Sequence, residues 1–121
     1  MQYKSYETVN STVAPGVSFT VVKMSFGRRV ELMRRVRELA ARQEFVGAGE
    51  SAGEKMETAL LASEIDRVYL LWGLREIKGL ELDGVPATPE SLAAGGPEEL
   101  FREALEAVKH QCGLSEAERK N

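Results

Sequence analysis

The sequence is poor in the residue types that metal sites and disulfides need. Its 121 residues include one cysteine, Cys112, and one histidine, His110. A single cysteine cannot form an intramolecular disulfide and is typical of a reducing compartment, so we expect a cytoplasmic protein. One histidine and one cysteine also fall short of the four ligands of a structural zinc site. The sequence therefore predicts neither a metal site nor a disulfide.

Long apolar runs are also absent. No run approaches the roughly 20 residues that a membrane-spanning helix needs, and residues 1–5 lack the hydrophobic core of a signal peptide. The chain length suits one domain with a real core. Apolar and charged fractions of 43% and 29% are ordinary for globular proteins. We therefore expect one soluble domain over residues 1–121, with no membrane partner.

Catalytic and nucleotide-binding patterns are missing as well. His110 and Cys112 lie two positions apart on a predicted helix, so they point to different sides; we expect a surface histidine and a half-buried thiol. Glu64 and Asp66 likewise lie on opposite sides of their helix and cannot form an acid–base pair. The Gly-Ala-Gly segment at 47–49 follows a helix, whereas phosphate-binding loops follow a strand. The sequence predicts no enzyme and no cofactor.

Turn and cap residues divide the chain into predicted strands and helices. The Pro-Gly pair at 15–16 and the Asp-Gly pair at 83–84 mark hairpin turns, and the Thr-Pro pair at 88–89 marks a helix start. The pattern predicts an α+β fold: an N-terminal β-hairpin over 1–24, a helical core of two long helices over 25–78, a small second β-hairpin over 79–87, a C-terminal helical pair over 88–113 and a frayed tail over 114–121.

The most apolar predicted helix begins at Ser51 and runs to Ile77. Ser51 and Glu54 have the spacing of a capping box, which marks its first turn. Its apolar residues cover most of its circumference, and such a helix is usually covered on several sides. We therefore expect it to be central, with the other elements packed against it and Trp72 buried.

The first long helix is amphipathic and rich in arginine. Its outer face could contact a protein partner or be merely solvated. Interleaved acids, in the pairs Glu31–Arg35 and Glu38–Arg42, and the lack of stacking aromatics argue against nucleic acid. The predicted apolar stripe is Phe26, Val30, Met33, Val36, Leu39 and Ala40. The candidate contact residues on the basic face are Arg28, Arg29, Arg34 and Arg35.

Charge distribution and the N-terminal hairpin suggest self-association. Residues 1–49 carry eight basic and four acidic side chains, whereas residues 50–121 carry eight and fifteen. The two halves could pair within one chain or between copies. An isolated hairpin is marginal and offers an open edge, so we expect a homo-oligomer built partly through residues 6–24, with Phe19 and Val21 as candidate contacts. Asp66, on a small flat helix face, is a further candidate, unless it pairs with an arginine of the first helix.

The segment Val-Val-Lys-Met-Ser-Phe-Gly-Arg-Arg-Val-Glu-Leu at 21–32 reads as a strand end, a helix start and an amphipathic helix. Together with the central helix and the Leu-Glu-Leu-Asp-Gly hairpin at 80–84, it resembles the small tail assembly chaperones of tailed bacteriophages and prophages. The resemblance implies a non-catalytic factor that binds tape-measure and tube proteins during tail assembly. The alternatives are a structural accessory subunit of a phage-like particle, such as a head–tail or tube component, and a small regulatory binding module.

Overall fold

The computed structural model describes residues 1–46 and 51–113, and their fold is α+β, as the sequence predicted. The predicted tail and the Gly-Ala-Gly helix stop at 47–49 lie outside the described residues. The elements, in chain order, are β1 (Tyr6–Asn10), β2 (Ser18–Val22), α1 (Phe26–Val46), α2 (Ala52–Gly73), β3 (Leu74–Lys78), β4 (Glu81–Leu82), β5 (Val85–Pro86), α3 (Pro89–Gly95) and α4 (Glu98–Gln111).

The chain divides into two compact units. Residues 1–24 and the described residues from 69 onward form the first, which we call the sheet unit. Residues 25–68 form the second, which we call the helical unit and which contains α1 and most of α2. The last turn of α2 belongs to the sheet unit.

The sheet unit is built on a three-stranded antiparallel sheet in the order β1-β2-β3. The predicted N-terminal hairpin is confirmed as β1 and β2, with Gly16 at a φ of +92° in its connection. Phe19 and Val21 alternate toward one face of β2 and are fully buried. Because β2 is hydrogen-bonded on both sides, it forms the middle of the sheet.

The third strand lies where we predicted the end of a helix. Leu74–Lys78 pairs with β2 instead of continuing α2. Leu74 and Glu76 of β3 pair with Val21 and Thr20, which are consecutive in β2. Arg75 lies between them and is therefore an extra residue in β3. This bulge brings Leu74 and Ile77 to the buried side although they are three residues apart. That spacing is also typical of a helix face, which is why the predicted helical core over 25–78 was wrong at its end.

Two helices pack on this sheet: α4 contacts β2 and β3, and α3 contacts β3 and α4. The core therefore lies between the sheet and the C-terminal helices, and α2 contributes Leu70 and Trp72 from its end, whereas we predicted a core centred on α2. The buried apolar residues of the strands and C-terminal helices, together with Val17 directly before β2, are Val17, Phe19, Val21, Val22, Leu74, Ile77, Leu92, Leu100, Ala104, Leu105 and Val108.

Local signals in the C-terminal half were predicted correctly. Asp83 and Gly84 have φ values of +54° and +79°, the two positive values that a type I′ hairpin turn requires between β4 and β5. Thr88 is the N-cap of α3: its hydroxyl oxygen accepts the backbone N–H of Ser91 at 3.1 Å. Gly113, with a φ of +74°, follows the end of α4. Each feature depends on neighbouring residues alone, so sequence suffices to predict it.

One long-range carboxylate organises the β1–β2 connection. Glu103 of α4 accepts hydrogen bonds from the Ser11 hydroxyl, from the Thr12 backbone N–H (2.8 Å) and hydroxyl (3.0 Å), and from the Val13 backbone N–H (3.4 Å). Burial raises the pKa of Glu103, but these hydrogen bonds favour the charged form more strongly, so its pKa lies below its ordinary value of 4.5. The ionised carboxylate thus holds the connection on α4.

We expect Glu103→Gln to reduce the free energy of unfolding by about 1–2 kcal/mol at pH 7, because hydrogen bonds to a charged acceptor lose their charge assistance. The stabilisation by Glu103 is complete above its unfolded pKa of 4.5 and is lost as the pH falls through the lower folded value. Urea melts between pH 7 and pH 3 should therefore show wild type and variant converging on acidification. The exposed Glu81→Gln is the matched control; a constant gap for Glu103→Gln would contradict the prediction.

The helical unit has few fully buried side chains. Leu32 of α1 and Leu61 of α2 are buried, whereas residues 52–56 of α2 are exposed. α1 begins after Ser25, whose hydroxyl oxygen accepts the Arg28 backbone N–H at 3.3 Å, the hydrogen bond of an N-cap residue. α1 therefore leaves much of its surface uncovered, whereas α2 is uncovered over residues 52–56 and mostly buried or half-buried beyond them.

Candidate protein-binding site

Large apolar side chains are exposed on the helical unit. Surface patches of this kind mark protein interaction sites when their members are contiguous. α1 contributes three of these five side chains and α2 contributes two. The side chains concerned, each more than half exposed, are Phe26, Met33 and Phe45 of α1 and Met56 and Leu60 of α2.

The exposed side chains of Phe26 and Met33 lie along one line of α1, whereas the exposed Phe45 lies off it. Starting at Phe26, positions at alternating intervals of four and three lie on one side of the helix, the spacing that coiled coils use at their contact. From Phe26 to Glu44, 18 positions further on, this line is about 27 Å long. We call it the α1 seam; its members are Phe26, Val30, Met33, Arg37, Ala40 and Glu44.

An open depression of about 560 Å³ follows the α1 seam, and all its lining residues come from α1. A small-molecule pocket takes its walls from several elements and buries most of its ligand. A depression formed by one helix has no opposite wall, so it suits a partner that supplies one, such as a second helix. The lining residues are Val30, Met33, Arg34, Val36, Arg37, Ala40, Ala41 and Glu44.

The arginines of α1 fall into two groups. Arg35 forms the predicted ion pair with Glu31 at 2.7 Å. Arg42 pairs with Glu57 of α2 at 3.5 Å, and not with Glu38 as we predicted. Both pairs are exposed and each contributes at most about 1 kcal/mol. These two arginines are already neutralised within the helical unit.

Three arginines on or beside the α1 seam form no such ion pair within the described residues. Arg29, Arg34 and Arg37 are exposed, and none has a carboxylate within 4.0 Å among residues 1–46 and 51–113. Arg34 and Arg37 line the depression itself. The α1 seam therefore combines apolar side chains with an unpaired positive charge.

The predicted contact residues are divided between surface and core. Arg29, Arg34 and Arg35 are exposed, and Arg28 is half-buried. Phe19 and Val21 have no exposed surface, so they cannot contact a partner. Their selection was wrong because the alternation of β2 shows which side chains share a face, but not that α4 covers that face.

Asp66 is half-buried, and it is not without an interaction partner. Its partial burial agrees with the covered helix face that we predicted. His110 is exposed and Cys112 is half-buried, as we predicted. In the described part of the chain, no three His, Cys, Asp or Glu side chains come together as metal ligands would, and no helix there has the length and apolarity to cross a membrane.

Self-association through residues 6–24 is supported by fewer features of the structure than of the sequence. β3 supplies a third strand from within the chain, so the hairpin does not need a second copy to become stable. β1 still lies at the edge of the sheet. The open edge and the uneven charge distribution remain, and the homo-oligomer stays a prediction.

Sequence reasoning missed Arg37 as a site residue and assigned the apolar stripe of α1 to the core. The stripe is in fact divided: Val30, Val36 and Leu39 are half-buried, whereas Phe26, Met33 and Ala40 are exposed. The signal that could have separated them is the seven-residue repeat that starts at Phe26. It differs from the 3.6-residue period of a core-facing stripe.

Comparison of the chain with protein-family models, with curated proteins and with solved structures gave no match. No relative therefore supplies residue roles for the α1 seam, and its function must be inferred from its own chemistry.

Proposed function

We propose that this protein is a non-catalytic assembly factor of a phage-like tail, which binds tape-measure or tube proteins as a chaperone. Two observations support this proposal. The sequence resembles small tail assembly chaperones in its strand-to-helix step, its central helix and its Leu-Glu-Leu-Asp-Gly hairpin, and the helical unit exposes an apolar α1 seam. The exposed seam is the observation that carries the proposal, because a chaperone must offer apolar surface to a client before the client is assembled.

The size of the exposed surface agrees with transient binding. The α1 seam has four apolar members, Phe26, Val30, Met33 and Ala40, interrupted by Arg37. Aromatic and methionine side chains are enriched at protein interfaces, and methionine adapts to partners of different shape. A short seam with a charged interruption binds weakly compared with a permanent coiled coil. Weak binding allows the client to be released into the growing tail.

The main alternative is a structural accessory subunit of the particle, such as a head–tail or tube component. Its support is the same α1 seam, which a permanent neighbour could cover in the finished particle. Under either function we propose protein partners, a homo-oligomer and a location in the host cytoplasm, with no role for nucleic acid, membrane or cofactor.

We expect the full chain to keep a co-expressed tape-measure protein in the supernatant, and the double variant Phe26→Ser/Met33→Ser to lose at least half of this effect, because it removes the two large apolar seam side chains that are exposed. Sedimentation of lysates and quantification of the client measure it. Val85→Ser is the control, since Val85 is exposed to about the same extent as Met33 but lies on β5 of the sheet unit. Equal solubilisation by wild type and by the double variant would contradict the proposal.

Mass spectrometry of purified particles separates the two functions. A chaperone should be absent from finished particles, whereas a structural subunit should remain at a fixed ratio to the tube protein. Recovery in the finished particle would replace the first function by the second.

A further inference from the structure

The charges around the α1 seam have one sign. In a helix pair, the residues beside the contact line face the corresponding residues of the partner and determine which partner is accepted. Two of these flanking positions are charged, and both are arginines. The flanking positions are Gly27, Arg29, Arg34, Val36, Ala41 and Gln43.

A third arginine lies within the contact line. Arg37 occupies a seam position between Met33 and Ala40. A charged side chain at such a position lowers affinity for most partners, because it loses water on binding, but it favours a partner that places an opposite charge beside it. Glu44, at the last seam position, is the single acid among the seam members.

The source of the compensating charge must lie outside this face. Arg29, Arg34 and Arg37 have no carboxylate partner within the described residues, while Glu31 and Glu57 are already paired with other arginines. A second copy that used the same face would bring together six arginines, two from the seams and four from the flanking positions, against two copies of Glu44. Like charges at an interface oppose association, so a second copy is a poor occupant.

We propose that the α1 seam binds an amphipathic helix of the client whose apolar stripe is flanked by carboxylates. The apolar part of that helix covers Phe26, Val30 and Met33, and its carboxylates face Arg29, Arg34 and Arg37. The client segment is about 18 residues long, the length of the seam. This inference rests on the proposed function, since it names the chemistry that the same face recognises.

Two synthetic peptides, measured with the full chain, test whether the α1 seam prefers a helix with flanking carboxylates. Each has about three heptads with leucine and isoleucine at the contact positions; one carries glutamate at all flanking positions and the other carries lysine. Fluorescence anisotropy of labelled peptides should show that the glutamate peptide binds at least about tenfold more tightly than the lysine peptide. This difference should become smaller in 1 M salt, because the Debye length there is only roughly 3 Å. Equal binding of both peptides, or binding of neither, would overturn the inference.

Matched variants assign the preference to the α1 seam. Arg34→Gln/Arg37→Gln should lose most of the preference, and Arg34→Lys/Arg37→Lys should retain it. Arg35→Gln/Arg42→Gln removes the same charge from paired arginines of the same helix and should leave the preference unchanged. If the two glutamine variants lose it equally, the effect is one of net charge and the inference is wrong. Circular dichroism checks that each variant keeps its helices.

Two further outcomes separate this inference from the proposed function. If the protein keeps the tape-measure protein soluble but does not prefer the glutamate peptide, the inferred recognition of carboxylates is wrong and the proposed function is not contradicted. Peptide preference without client binding would contradict the function alone. If the protein by itself forms a dimer that Met33→Ser dissociates, a second copy occupies the α1 seam and the inference is overturned.

Discussion

Replacing Gly79 by alanine is expected to lower the free energy of unfolding of the sheet unit by about 2–5 kcal/mol. Two costs act together. Gly79 has a φ of +82°, where an L side chain loses about 1–2 kcal/mol. A Cβ at this position would also overlap the backbone carbonyl oxygen of Gly16. A backbone atom cannot move aside as a side chain can, so overpacking adds about 1–3 kcal/mol.

Gly84 provides the control for this prediction. Its φ of +79° is nearly the same as that of Gly79, but a Cβ there would meet no atom within 4 Å. Gly84→Ala should therefore show the conformational cost alone, about 1–2 kcal/mol. Urea unfolding followed by the fluorescence of Trp72, the single tryptophan, reports both variants. Equal losses for the two variants would show that the approach of Gly79 to Gly16 contributes nothing.

Trp72→Ala is expected to cost about 3–5 kcal/mol, the usual range for truncation of a large buried aromatic side chain. The indole is 6% exposed, on the last turn of α2, where that helix joins the sheet unit. Its loss would leave a cavity in the core. A urea melt followed by circular dichroism measures the change. A loss below about 1 kcal/mol would show that Trp72 is not part of the core.

The indole N–H makes Trp72→Phe a useful second variant. Nε1 of Trp72 is buried and has no hydrogen-bond acceptor in the described part of the chain, and a buried donor without a partner costs about 1–3 kcal/mol. Phenylalanine removes this donor while keeping most of the apolar volume. We therefore expect Trp72→Phe to cost less than about half as much as Trp72→Ala.

These large effects all fall in the sheet unit, whereas the α1 seam lies in the helical unit. Surface substitutions away from cores and caps usually change stability by less than about 0.5 kcal/mol. Variants of Phe26, Met33, Arg34 and Arg37 should therefore alter binding without unfolding the sheet unit. This separation makes the proposed function testable by mutation.

The sequence by itself determined the fold class and the features that depend on neighbouring residues. The Asp-Gly pair at 83–84 needs positive φ at two consecutive residues and forms the turn between β4 and β5. The caps at Ser25 and Thr88 satisfy backbone N–H groups three residues further on. The Glu31–Arg35 pair lies one helical turn apart. Sequence is sufficient in these cases because the chain connection itself brings the interacting groups together.

The tertiary structure alone decided which faces are covered. β3 resembles a helix by sequence, because the bulge at Arg75 places Leu74 and Ile77 on one side at a helix-like spacing. Phe19 and Met33 are both apolar and periodic, yet Phe19 has no exposed surface and Met33 is mostly exposed. Periodicity describes the direction in which a side chain points, whereas burial depends on what the rest of the chain places there. For that reason the exposure of the α1 seam, the proposed binding site, depends on the tertiary structure, although its seven-residue repeat is present in the sequence.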